Sequence, residues 1–384
     1  MESYDYIIAG GGAAGLSLAF HFCREAFGNK RILIIDKAPK HTNDRTWAFW
    51  KNQPFAFDPI IYKSWREIEV KDHEYYQHIP LKNYSYNVIK GIDFYSFVHN
   101  KLRDYTNIAI VYDEVLDIKE EANGAQVITA NNHYRAEYVF NSCYHLDKVI
   151  IPASYHYLKQ HFKGWVVKSL EKPFNPDTAT IFDFNINQGD SLRFIYTLPF
   201  DDSTALIEYT IFSEDLLPPR EYEEALKNYI AGTLGINNFT IEEEEFGSIP
   251  MTNFPFSPQY SKHIVNLGTL GGRTKASTGY TFTRIQKQST QIIESLLTTG
   301  GPWQQDKEKP KYKLFDSVLL NVLKKERGKG HLIFKKLFQK NDIGLIFRFL
   351  DDETSLTDEV KIMNSLSSPV FIRAFFEELL KWKR

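Results

Sequence analysis

The 384-residue sequence predicts an α/β fold with a Rossmann-like first domain, a β-rich second domain and a C-terminal helical region. Three observations carry this. A glycine-rich turn, Gly10 to Gly15, lies between an apolar strand pattern and a helical one. From about Phe162 to Ile249, short segments of alternating hydrophobicity dominate. From Gly279 onward the apolar spacing turns helical and stays so to the end.

The first element is the strand Asp5-Tyr6-Ile7-Ile8-Ala9, followed by the glycine turn and a helix expected over Ala13 to Ala26, with Leu16, Ala19, Phe20 and Cys23 at helical spacing. Arg31-Ile32-Leu33-Ile34-Ile35-Asp36 is the second strand, which completes a βαβ start. Gly10-Gly11-Gly12-Ala13-Ala14-Gly15 is a G-x-G-x-x-G motif in the required context: a strand before it, a helix after it, small Ala19 one turn on, and Asp36 ending the next strand. Glycines there let backbone N–H groups approach a pyrophosphate, and the helix N-terminus favours its charge. Asp36 is placed to accept from a ribose 2′-hydroxyl, which disfavours NADP in this pocket. With the motif at the extreme N-terminus and more chain needed for a second nucleotide contact and a substrate lobe, FAD is expected over NAD.

Later strands are expected at residues 108–111, 125–128 and 138–140, then most clearly at Ser191 to Leu198 and Thr204 to Phe212. Lys+Arg of 46 against Asp+Glu of 48 leaves a net charge of −2, which excludes a nucleic-acid binder working by phosphate neutralisation. The two cysteines, Cys23 and Cys143, offer no metal-ligand spacing, so no metal site is expected and a reducing cytoplasmic setting fits. Tyr6 to Cys23 carries no charged residue, but its four glycines argue against a membrane span. Between 311 and 350 ten basic residues face three acidic ones, interleaved with Leu332, Ile333, Phe334, Leu337 and Phe338. That mix suggests an amphipathic helix on an anionic membrane; the commoner alternative is the solvated face of a packed helix. With 29 Phe, 22 Tyr and 6 Trp, 15% of the chain is aromatic, a load that calls for a cause.

Asn43-Asp44-Arg45-Thr46-Trp47-Ala48-Phe49-Trp50 resembles the D-R-T-W-x-F-W signature of bacterial-type lycopene cyclases, FAD-dependent enzymes of carotenoid synthesis. In the same order, Gln160 to Trp165 is similar to that family's Q-x-F-x-G segment, and Phe182-Asp183-Phe184 to its M-D-F/W segment. Leu206 to Thr210 stands where it has L-x-E-[ED]-T, and Ile249-Pro250-Met251 where it has I-P-M. Gly268 to Gly272, continued by Thr278-Gly279-Tyr280, resembles its second flavin motif. The resemblance runs to about residue 376. It departs at Tyr209, where a second acid is usual, at Lys275-Ala276 in place of His-Pro, and at Asn141 in place of Asp. The missing second acid puts in doubt any mechanism that uses two adjacent carboxylates.

The resemblance implies a fold like flavin hydroxylases and geranylgeranyl reductases. Expected domains are 1–75, 90–160 and 262–298 for FAD, 76–89 and 161–261 for substrate, and 299–384 as a basic helical region facing the membrane. It implies a non-redox isomerase that cyclises the linear ends of lycopene to β-ionone rings, giving γ- and β-carotene, with FAD active in reduced form and NAD(P)H as reductant. The protein would sit peripherally on the inner face of the membrane. Protonating an alkene requires a neutral carboxylic acid, hence a buried one. Glu208 fits, because period-2 alternation puts it on one strand face with Leu206 and Phe212; Asp183 is the second candidate, and a salt-bridged strand glutamate is the alternative reading.

The expected cofactor set is Gly10, Gly12, Ala13, Ala14, Gly15, Asp36, Lys37, Arg45, Gly268, Gly271, Thr278 and Gly279, with Lys275 a further basic residue nearby. Trp47, Phe49, Trp50, Trp165, Phe182, Phe184 and Tyr280 are the expected aromatic walls, able to stabilise a cation through their ring faces. An FAD-dependent monooxygenase or prenyl-chain reductase on the same scaffold, and a non-catalytic flavoprotein, remain alternatives. The G-D dipeptide usual in hydroxylase second motifs is absent, since Thr269 follows Gly268.

Overall fold

The computed structural model describes residues 2–143, 149–304 and 309–382. The first sheet is Rossmann-like. Strands Ile108–Tyr112, Ile32–Asp36, Glu2–Ala9 and His133–Asn141 run parallel in that order, and Gly124–Thr129 and Val115–Glu121 extend the sheet antiparallel. The short strand Ile264–Asn266 pairs parallel with the far end of His133–Asn141. In the first strand Tyr6 and Ile8 face helices Ala13–Phe22 and Phe282–Thr299, while Ile7 and Ala9 face the opposite core. Helix Ala13–Phe22 is shorter than the sequence predicts. It ends at Cys23, and Glu25–Phe27 forms a separate short turn.

The second sheet has seven strands, ordered Thr240–Thr252, Tyr157–Lys168, Thr204–Ser213, Leu192–Pro199, Thr178–Asp183, Glu67–Asp72 and Tyr75–Pro80. Glu67–Asp72, expected with the first domain, belongs here, since it pairs parallel with Thr178–Asp183. Strand Ser85–Lys90, expected with the substrate domain, instead pairs with Thr46–Lys51 and Lys63–Trp65 in a small third sheet. One face of the large sheet is covered by helix Pro219–Asn228 and the turn after it, around Trp165, Ile207, Tyr209, Tyr222 and Tyr229. The other face, with Leu206, Phe194 and Phe212, shares a core with the C-terminal helices.

Those helices are Pro310–Lys325, Gly330–Lys340, Ile343–Leu350, Leu356–Leu366 and Pro369–Trp382. Phe334, Leu337 and Phe338 point inward and are buried, which corrects the expectation of a membrane-lying helix there. The basic residues are largely partnered across the chain: Lys335 with Asp72 at 2.8 Å, Lys324 and Arg327 with Glu214 at 2.6 Å, Lys311 with Glu359 at 2.6 Å. Among the described residues no helix is long and apolar enough to cross a membrane.

Candidate functional site

Between the two large sheets and the C-terminal helices lies a cavity of about 510 Å³ that runs from Gly12, Ala13 and Ala14 to Glu208. At the first end the glycines do distinct jobs. Gly10 has φ +102, which glycine adopts freely, and a side chain at Gly15 would collide with the Gly10 carbonyl. Gly12 is different: a Cβ there would meet nothing within 4 Å, so its face is open to the cavity at the helix N-terminus. Asp36 lies against Gly11, where any Cβ would stand 2.8 Å from Oδ2. Gly268, at φ +56, approaches Ala14 so closely that a Cβ would stand 3.0 Å from the Ala14 Cβ; the two glycine segments therefore form one wall. Gly271 packs on the Asn266 carbonyl and Gly279 on Gln160.

Two buried polar atoms on this wall, Thr278 Oγ1 and Gln160 Oε1, have no hydrogen-bond partner among the described residues. Buried polar atoms are normally satisfied, so these point to a polar occupant. An open glycine cradle, a helix N-terminus and unpaired donor and acceptor atoms fit a dinucleotide. Arg45 lines the same space and donates to the carbonyls of Asp44 at 2.7 Å and Phe246 at 3.2 Å. Two expected contacts are corrected. The Lys37 side chain is 75% exposed and turns outward to Glu114, leaving only its backbone N–H on Asp36. Lys275 is buried in ion pairs with Asp316 at 3.0 Å and Asp352 at 2.8 Å, so it ties the C-terminal helices to the glycine segment rather than facing the cavity.

The strands of the large sheet supply the other end. Along Thr204–Ser213, Leu206, Glu208, Thr210 and Phe212 share the cavity side, while Ile207, Tyr209 and Ile211 face helix Pro219–Asn228. Tyr209 therefore points away from the cavity, and an acid in its place would not join Glu208. The register supplies one from elsewhere. Gly164 is paired with Glu208 on one side and with Glu245 on the other, and the two carboxyls hydrogen-bond across the side-chain-free glycine. Burial first, and then the facing Glu245 carboxylate, push the Glu208 carboxyl well above its usual range. What remains exposed of Glu208 opens to the cavity. Burial also raises Glu245, opposed by hydrogen bonds from Thr46 and Glu208 and by Arg45 nearby.

Beside Glu208 three phenols meet. Tyr86 OH bonds to Tyr196 OH and, at 3.2 Å, to Tyr280 OH, and burial raises all three. Trp50 stacks on Phe347 with centroids 4.7 Å apart, meets Tyr280 in a T-shaped contact at 4.4 Å, and donates through Nε1 to Asp351 at 2.7 Å. Burial raises Asp351 to about 6 despite that bond. Phe182 packs with Phe194 at 4.7 Å and Phe334 at 5.2 Å.

Trp47, Trp50, Phe182 and Tyr280 thus line one cavity, together with Tyr86, Tyr196, Phe194, Phe212, Phe338 and Phe347, which the sequence reading did not place among the walls. Phe184 stacks behind Phe182 at 5.4 Å without lining it. Phe49 alternates away from Trp50 into the first-domain core, and Trp165 alternates away from Gly164 onto the helix-covered face. Asp183 is likewise on that far side. It accepts from Tyr229 OH at 2.6 Å and the Asn185 backbone at 2.9 Å, with Lys71 at 3.7 Å, so it is a satisfied structural acid. Tyr196 had a signal in the alternation of Leu192, Phe194, Tyr196 and Leu198. Glu245 had none, standing in the run Glu242 to Glu245, which reads as a solvated edge. Among the described residues no cluster of His, Cys, Asp and Glu could hold a metal.

The architecture is shared with a geranylgeranyl bacteriochlorophyll reductase-like protein from Thermoplasma acidophilum, at TM-score 0.63 and 14% identity over 97% of this chain and 98% of that one. At that identity the likeness speaks for the fold. In sequence, the chain is 24% identical to a neoxanthin synthase of Solanum tuberosum over 78% of its own length and 61% of the relative's. It is also 24% identical to the lycopene beta-cyclase of Pantoea ananas, over 65% of this chain and 63% of that one. The chain thus spans about three fifths of the length of the curated relatives it matches. Residues 5–377 match the family described as lycopene cyclase protein, a range that takes in the glycine cradle, the Glu208 strand and the aromatic helices alike. With that match across nearly its whole length, the chain belongs to the lycopene cyclase family.

Proposed function

We propose that this protein is a lycopene cyclase, an isomerase that closes the linear ends of lycopene into β-ionone rings by proton transfer, without net oxidation. The observation that carries the reading is Glu208: a carboxyl held neutral by burial and by a second carboxyl, facing a cavity walled by aromatic rings. A neutral carboxylic acid in a dry site is what protonation of an alkene demands. Its proton goes to the terminal C=C of the substrate, the neighbouring alkene attacks the tertiary cation, and loss of a ring proton leaves the β-ring.

The aromatic walls serve two ends. Ring faces of Trp50, Tyr280 and Phe182 attract the transient cation, each contributing on the order of 1 to 2 kcal/mol when desolvated. They also exclude the water that would trap it as an alcohol. Gly12, Ala13, Ala14, Gly268 and Thr278 would hold FAD, with Arg45 available to its negative charge. When bound and reduced by NAD(P)H, the flavin supplies a negative charge that stabilises the cation.

A C40 hydrocarbon resides in lipid, so the protein is read as peripheral on the inner face of the membrane. In the stretch 332–338 Phe334, Leu337 and Phe338 are buried, and Leu332 is left exposed. The helices Leu356–Leu366 and Pro369–Trp382 expose Leu356, Val360, Met363, Ile372, Phe376 and Leu380. Expression in a lycopene-accumulating host tests the function. A cyclic pigment of unchanged mass supports it, whereas a product heavier by one oxygen or by two hydrogens would replace it with a monooxygenase or a reductase.

A further inference from the structure

Glu245 belongs to no recognised motif and does not line the cavity, yet the fold builds a place for it. Its strand, Thr240–Thr252, is separated from the Glu208 strand by Tyr157–Lys168, and the register sets Gly164 opposite both acids. Any side chain at 164 would intrude: a Cβ would stand 3.0 Å from Glu245 Cγ and 3.0 Å from Leu206 Cδ1. Tyr196 faces Glu208 from the next strand, so Tyr196, Glu208, Gly164 and Glu245 form one row across four strands.

The groups around the pair are few. The hydroxyls of Tyr196, Tyr86 and Tyr280 stand at the Glu208 end, with Asp351 beyond Tyr280. At the Glu245 end are the Thr46 hydroxyl, Arg45 and Glu243, the last engaged by Lys90 at 2.9 Å and Asn43 at 2.8 Å. Among the described residues neither Glu208 nor Glu245 forms an ion pair. A buried carboxyl without a cation normally has to be neutral, and two in contact share protons rather than both ionising.

We propose that Glu245 is a positioning residue that forms with Glu208 a carboxyl pair holding one shared proton, which keeps Glu208 loaded as the acid and reloads it in each turnover. The inference rests on the cyclase reading and deepens it. In the loaded pair Glu208 carries the proton and Glu245 the charge. Transfer to the substrate breaks the Glu208 O–H bond and forms a C–H bond, leaving two carboxylates in contact. The π pair of the neighbouring alkene then forms the ring C–C bond. A C–H bond next to the new cation breaks, its electrons become the ring C=C, and its proton re-forms the Glu208 O–H bond. No electron or water enters. Repulsion within the doubly charged pair drives that last step.

The test uses the flavin-loaded full chain. Infrared titration of the protonated-carboxyl band is measured beside the pH dependence of cyclisation, for the wild type, Glu245→Gln and Glu245→Asp. In Glu245→Gln the charged neighbour is gone while an amide still fills the space. The Glu208 midpoint is expected to fall by about one pH unit or more, and the alkaline limb of the rate profile to move down with it. At neutral pH kcat drops about tenfold or more while KM stays within about twofold. Glu245→Asp, which keeps a charge, recovers part of kcat and of the raised midpoint; should the glutamine variant fold poorly, Glu245→Ala, which also removes the charge, supplies the same readout. An unchanged midpoint and alkaline limb in Glu245→Gln, with the wild type still cyclising, overturns this inference alone. A wild type that forms no ring overturns the cyclase reading and this inference with it.

Discussion

Glu208, half-buried and open to the cavity, and Asp183, fully buried, are acids on inner strands of the same sheet, and they stand on opposite faces of it. Asp183 has every partner a carboxylate wants: a phenol, a backbone N–H and a lysine. Glu208 has Thr210 at 2.7 Å and another carboxyl. The same contrast separates Trp50, in the cavity, from Trp165, under a helix. Residue type is therefore a poor guide to role in this sheet, and the side of the pleat is a good one: one face is packed under a helix and structural, the other opens to the cavity.

The contrast breaks first at the two acids. Glu208→Gln is expected to lower cyclisation by about 100-fold or more, the usual worth of a general acid, with flavin content unchanged. Asp183→Asn is expected to keep the rate per folded molecule within about twofold while costing roughly 1 to 3 kcal/mol of stability through its buried partners. Product analysis and urea midpoints on the same preparations check both. Next come the tryptophans. Trp50→Leu removes a cation-facing ring and should slow cyclisation roughly tenfold, in line with a loss of 1 to 2 kcal/mol. Trp165→Leu should leave the rate alone and lower the melting temperature.

A smaller effect follows from pH. A carboxyl whose folded pKa is raised makes the native state bind more protons than the unfolded one, so stability is highest below the ordinary value of 4.5 and falls as pH rises through the folded value. Glu208→Gln removes that loss. It should be more stable than the wild type at alkaline pH, with the gap widening by up to about 1.4 kcal/mol per pH unit inside that window. Denaturant midpoints from pH 6 to 9 measure it; a constant gap would show that Glu208 is not raised. The smallest expected effect is at the exposed helices. Replacing Phe376 and Leu380 with Ser should weaken flotation with anionic liposomes several-fold without altering the fold.

Much of this face-by-face logic was legible in the sequence. The glycine spacing and Asp36 located the cradle, and period-2 alternation put Glu208 with Leu206 and Phe212. Alternation alone could not say which of Gly164 and Trp165 looks toward Glu208, because that depends on the register between two strands. Glu245 was hidden for the same reason, since its partner lies two strands away. The basic run at 324–340 follows the commoner of its two readings, the solvated face of a packed helix, and its acids, Asp72 and Glu214, come from distant segments. Of its apolar residues, Phe334, Leu337 and Phe338 line the cavity, while Leu332 stays exposed.

The central claim is that Glu208 drives ring closure by protonation alone, and turnover of lycopene in heavy water by the flavin-loaded chain tests it most directly. The product should have the mass of its substrate in ordinary water and carry at most one deuterium per ring in heavy water, to the extent that the Glu208 proton exchanges between turnovers, with ring formation by Glu208→Gln lowered about 100-fold or more. A product two hydrogens heavier than its substrate in ordinary water, more than one deuterium per ring, or full activity in Glu208→Gln would contradict the account.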